Sequence, residues 1–258
     1  MKILYNWLKE FISVSEDVNG LANILYNLGF GIESVVDDVI DLEITPNRGD
    51  GLSIYGIARE YGAFKKKLIN PYKTIDLDSS VRHLDNVIEI KSKQLTSYYG
   101  LVLDNIIAPK TPYEVLSRLK KIDINSVNCI VDITNYIMHE TGIPLHAYDL
   151  DKIKNKIRIE LSDKTEKIVA LNKKEYSLAK DTLVAYDGDK VIDIVGIMGG
   201  LGVGVDCNTK RILLQAANID SKLIRSTSKF LNLNTPASYR YERGIDNNML
   251  KVAVLRAH

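Results

Sequence analysis

Two polar side chains with chemical potential, Asn135 and His146, stand on either side of a forced turn in residues 131–150, VDITNYIMHETGIPLHAYDL. An imidazole can orient a water molecule or accept its proton near neutral pH. A carboxamide can hold a carbonyl or a hydroxyl. Val131, Thr134, Ile137, Met138 and Thr141 recur at helical spacing and predict a short buried helix. Gly142 and Pro144 end it, since glycine accepts a left-handed cap and proline cannot continue the ladder. Asn135 then lies on the helix and His146 just beyond it, where both can face one pocket. The same two residues would serve equally as a backbone cross-link and a satisfied core histidine, so the pair alone does not decide.

The remaining motifs exclude more than they assert. Gly196, Gly199, Gly200, Gly202 and Gly204 form a glycine-rich loop without the Lys-Ser/Thr of a phosphate loop and without dinucleotide spacing. It reads as a tight loop between strands or as bare backbone N–H groups that a ligand can approach. Residues 235–244, TPASYRYERG, place Arg240 and Arg243 around Glu242; on its own this reads as an ion-pair network at a helix start. No Cys/His cluster has zinc spacing, so no metal site is expected. No serine elbow is present, and the carboxylates are too scattered for a paired acid/base site.

The elements that must position these groups are ordinary globular ones. The 258 residues are 45% hydrophobic and 26% charged, with net charge +1, so nothing global demands nucleic acid or a membrane surface. Cys129 and Cys207 are far apart and read as reduced thiols in a cytosolic protein. No apolar run approaches the roughly 18 residues of a membrane span. Helices are predicted over residues 3–12, 17–28, 52–64, 112–121, 131–141 and 221–230, and from Ala237 onward. Asp50 is the expected cap of the third, with Thr111 starting the fourth. Strands are predicted over 42–45, 87–90, 98–103, 157–161, 167–171, 182–186, 191–197 and 211–214, with residues 32–40 extended and 65–72 a linker. Hairpins beside separate helices argue α+β. The expected division is a small helix-plus-strand unit over 1–75, a larger domain with a mainly antiparallel sheet over 80–245, and a helix from 246 to 258 leading onward in a longer chain.

Six segments in this order, MKILYNWLKEFI, ITPNRGDGLSIYGIARE, VDITNYIMHETGIPLHAYDL, GIMGG, ILLQAANID and ASYRYERGID, resemble the β subunit of bacterial phenylalanyl-tRNA synthetase. The resemblance implies the N-terminal part of that subunit: a small first domain followed by a B3/B4-like editing domain that hydrolyses tyrosine wrongly attached to phenylalanine tRNA. The OB-fold tRNA-binding module normally inserted in the first domain has no room, because residues 35–40 run straight into DLEITPNR. The implied partners are a synthetase α subunit, in an α2β2 heterotetramer, and phenylalanine tRNA, in the cytoplasm. ATP and Mg2+ would serve the whole ligase, through the α subunit, with no cofactor in this part.

By resemblance, His146 and Asn135 are the catalytic pair of the editing pocket. Thr134, Gly199, Gly200, Gln215, Thr235 and Ala237 bind the substrate, with the Gly199 and Gly200 amides facing the oxyanion. The family carries glutamate where this chain has Gln215. An ionised carboxylate only accepts hydrogen bonds and so selects a phenol. Gln215 accepts without the charge, which predicts weakened or lost preference for tyrosine. The reading outside this resemblance is a non-catalytic binding or scaffold module unrelated to a synthetase.

Overall fold

Ile3 and Leu4 are buried as a strand, β1 (Lys2–Leu4), not in the helix that the spacing of residues 3–12 predicts. A helix is left only at α1 (Tyr5–Leu8). The computed structural model, which describes residues 1–72, 84–107 and 110–258, shows the reason. After α2 (Val18–Asn27), the strands β2 (Gly31–Val36) and β3 (Val39–Glu43) form a hairpin, and β1 completes it antiparallel to β3. A helix of four residues gains little by itself, whereas pairing with β3 satisfies the backbone and buries both side chains. Residues 32–40, expected as one extended run, are thus two strands joined at Asp37 and Asp38, with Asp37 at a φ of 52°. Asp17 caps α2, accepting from the Gly20 amide at 2.7 Å.

Helix α3 (Ile54–Lys65) is capped by Ser53, whose hydroxyl accepts from the Gly56 amide at 2.8 Å. The expected cap, Asp50, sits in a preceding 3-10 turn and pairs with Arg48 instead. Residues 66–72 are not a loose linker: the Asn70 amide donates to Phe11 O at 2.7 Å. The expected domain boundary between 75 and 80 lies outside the described residues.

The rest of the chain supplies β4 (Ile88–Ile90), β5 (Leu95–Leu103), α4 (Tyr113–Lys121), α5 (Cys129–Thr141), β6 (Leu145–Asp149), β7 (Ile157–Leu161), β8 (Glu166–Val169), β9 (Glu175–Leu178), β10 (Leu183–Asp187), β11 (Lys190–Ile194), β12 (Met198–Gly199), β13 (Ile212–Ile219), α6 (Ser221–Leu231), α7 (Pro236–Tyr241) and α8 (Met249–Ala257). Thr111 does not cap α4; its hydroxyl donates to buried Asp132 at 2.6 Å. The fold is α+β. Strands β12-β11-β10-β7-β4 make one sheet, β5-β13-β6 a second and β8-β9 a ribbon. All these pairings are antiparallel except β4 with β7.

The second sheet divides the molecule. On β13, Ile212, Leu214 and Ala216 join a core shared with Ile3, Trp7 and Tyr61 of the N-terminal unit and with α5 and α8. Leu213, Ala217 and Ile219, on the opposite face, join the core of the five-stranded sheet. Strand alternation thus makes one sheet the wall between two cores. Leu250, Ala253 and Val254 place α8 in the first core. Among the described helices none is long and apolar enough to cross a membrane.

Candidate functional site

Gln215 points from β13 toward the five-stranded sheet, on the face that carries Leu213 and Ala217. Its cross-strand neighbours are His146 on β6 and Gly100 on β5. His146 and Tyr148 alternate onto that same face, their rings edge to face with centroids 4.4 Å apart. Helical spacing alone leaves His146 merely past a helix; the strand β6 fixes its direction. Helix α5, capped by Asn128 and ended by Gly142 at a φ of 80°, presents Thr134 and Asn135 from the side.

These groups and the glycine loop enclose a cavity of about 270 Å³, lined by Thr134, Asn135, His146, Gly199, Gln215, Thr235 and Ala237, among others. That is just below the usual range for small-molecule pockets, about 300–1,000 Å³, and fits a single large side chain. Seven of the eight expected site residues therefore converge. The eighth, Gly200, does not: it lines the neighbouring cleft, and its amide donates to Ile192 O at 2.8 Å, leaving nothing for an oxyanion. Gly199 is required by space, since a β-carbon there would lie 2.7 Å from His146 Cε1.

Hydrogen bonding sorts the lining. The Thr134 hydroxyl donates to Val131 O at 2.8 Å. Thr235 donates to Ile197 O at 2.9 Å and caps α7 through the Ser238 amide at 3.0 Å. Both hydroxyl protons are thus committed within the protein. In contrast, His146 Nε2 and Gln215 Oε1 are buried with no partner among the described residues. Buried polar atoms are overwhelmingly paired, so two orphans side by side mark a place where a ligand completes the bonds.

Sequence reasoning missed Asp193. It lies on β11, is 3% exposed, lines the same cavity and is the one carboxylate among the lining residues. Tyr148 donates to its Oδ2 at 2.7 Å. Burial raises the Asp193 carboxyl above its ordinary value, against the smaller opposing effects of His146 and of that hydrogen bond. The signal was present: a lone acid inside the apolar run VIDIV, residues 191–195. Among the described residues no three His, Cys, Asp or Glu side chains converge to hold a metal ion. Both cysteines are free thiols, Cys129 buried and Cys207 exposed.

Residues 94–258 match the B3/4 domain family. The phenylalanine–tRNA ligase beta subunit of Pseudomonas fluorescens is 36% identical over 225 residues, which is 87% of this chain and 28% of that protein. The subunit of the same name from Aquifex aeolicus is 38% identical over 219 residues, 85% of this chain and 27% of that one. That of Clostridium acetobutylicum is 39% identical over 257 residues, 95% and 32% respectively. The chain thus spans under a third of the length of these relatives. An N-terminal fragment of the phenylalanyl-tRNA synthetase beta subunit from Pyrococcus horikoshii aligns at a TM-score of 0.44 and 15% identity, covering 88% of this chain and 74% of that one, too distant to carry an argument.

Proposed function

The chain belongs to the B3/4 domain family, and from that premise we propose that it is the N-terminal part of a phenylalanine–tRNA ligase β subunit whose cavity receives an aminoacyl group carried by tRNA. The single observation that supports this is the pair of buried, partnerless atoms, His146 Nε2 and Gln215 Oε1, set side by side on β6 and β13. One is an imidazole suited to direct water; the other accepts a hydroxyl.

The reaction is hydrolysis of the aminoacyl ester. Water adds to the carbonyl carbon, the ester C–O bond breaks, and the tRNA hydroxyl leaves with a proton. His146 orients the water and takes its proton. Asn135, which lines the cavity from α5, holds the substrate. Among the described residues no serine or cysteine lines the cavity, which argues for attack by water over a covalent nucleophile. Gln215 accepts the phenol of tyrosine by a neutral hydrogen bond, weaker than a carboxylate's.

The same reading assigns the chain an α subunit and phenylalanine tRNA as partners, an α2β2 assembly and a cytoplasmic location. ATP and Mg2+ act on the α subunit; the described residues offer no ligand set for the ion, and no step here runs through either. The short β2–β3 connection supports a first domain without an inserted OB module. The test is deacylation of Tyr-tRNA by the assembled full-length ligase. Hydrolysis that disappears when the cavity is filled by Gly199→Leu supports the proposal. A rate no faster than the spontaneous one, with aminoacylation intact, refutes the hydrolytic part.

A further inference from the structure

Beside the candidate site lies a second cavity of about 360 Å³, sharing Thr235 and Pro236 with it and walled farther out by His139, Asn234, Tyr239 and Arg240. Arg240 is 4% exposed. Its Nη1 donates to Pro236 O at 3.0 Å, while its Nε has no partner among the described residues. Among the described residues no carboxylate lies in the cavity wall. Glu242, the nearest acid in sequence, is bonded to Arg243 instead. The ammonium of Met1, also at this cavity, is taken by Asp41 and Leu42 O. On the His139 side, Nδ1 is again buried and partnerless.

A buried guanidinium without a counter-charge is costly, and proteins seldom keep one without a use. Burial pulls Arg240 down to about 10. His139 is held well below its ordinary value by burial first and by the Arg240 charge second, so the two walls act on each other. The sequence pattern of Arg240, Glu242 and Arg243 reads as an ion-pair network, but the structure joins only Arg243 to Glu242 and leaves Arg240 alone.

We propose that this cleft is an anion subsite that takes a phosphate group of the nucleic acid whose acylated end enters the neighbouring cavity. A guanidinium presents a planar fork of donors matched to phosphate oxygens. The shared wall at Thr235 and Pro236 puts the anion next to the ester-binding cavity. This inference rests on the tRNA-linked reading for its ligand, and on the unneutralised Arg240 for its charge.

The test compares adenosine 5′-monophosphate with adenosine by calorimetry at low salt on the full-length ligase, with the α subunit's nucleotide site filled by a non-hydrolysable aminoacyl-adenylate analogue, so that only the phosphate at the cleft differs. The wild type is expected to bind the nucleotide at least tenfold more tightly, with the preference shrinking as salt rises. Arg240→Met is expected to bring the two within twofold and to raise the melting temperature without ligand, because an unpaired buried charge is gone. Arg240→Lys keeps part of the preference. Equal binding of both compounds by the wild type overturns the proposal. So does a preference unchanged in Arg240→Met, with lowered melting marking a structural arginine. Phosphate preference without Tyr-tRNA hydrolysis would leave the subsite standing and remove only the editing function.

Discussion

Helix α5 and the strand after it build two buried polar centres, and the contrast between them separates scaffold from site. At Glu140, fully buried, every strong group is answered. Trp7 Nε1 donates to it at 3.3 Å, Arg256 Nε at 3.1 Å, and Tyr72 donates to its backbone carbonyl at 3.3 Å. The three partners come from the first turn of the chain, its last helix and the segment after α3. Eleven positions along from Asn135, at His146 and beside it at Gln215, the polar atoms are equally buried but answered by nothing. Saturated bonding ties elements together; orphaned bonding waits for a ligand. A buried polar group held by a complete network stabilises the fold, and an incomplete one weakens it unless something binds.

The largest way to break this contrast is Glu140→Ala. Trp7 and Arg256 would lose their acceptor where α8 meets the N-terminal unit, and unfolding free energy is expected to fall by about 3 kcal/mol, the low end for a broken buried pair because Arg256 is part-exposed. Urea denaturation reads it; a loss under 1 kcal/mol would show that the clamp is incidental. His146→Ala should do the reverse, leaving stability nearly unchanged and lowering Tyr-tRNA deacylation by about 100-fold, a modest value for a lost general base. An unchanged rate would reduce the histidine to a wall.

Two smaller changes sharpen the contrast. Gln215→Glu restores a charge-assisted acceptor, and the ratio of Tyr-tRNA to Phe-tRNA deacylation is expected to rise by about 1–2 kcal/mol. If the ratio stays put, Gln215 does not read the hydroxyl. The slightest effect is on pH dependence. Asp193 is raised in the folded state, so the native chain binds its proton more tightly than the unfolded one. Its contribution is complete below the unfolded carboxylate range and is lost as pH rises through the raised folded value. Asp193→Asn should therefore remove a downward slope in stability between acid and neutral pH. A parallel slope in the mutant would mean that Asp193 does not titrate in this window.

Much of the site was legible because its parts are local signals. Gly142 and Pro144 end α5, and Asn135 follows from helical spacing. Short strands were least legible. β1, β6 and β9 carry no distinctive run, and each is a strand because a partner offers backbone groups to bond. Caps failed where two candidates stood close together, since Ser53 and Asp50 both suit the role and only packing chose.

The amino-acid order determined which side chains are polar, where helices stop, and that Gln215 offers an uncharged acceptor. Only the tertiary structure decided that His146 and Gln215 are neighbours, 69 positions apart, because antiparallel register between β6 and β13 sets them opposite each other. It alone turned Asp193 into a cavity carboxylate and left Arg240 without an acid. Side-chain chemistry is local, but pairing and desolvation are imposed by whatever distant backbone the fold brings alongside.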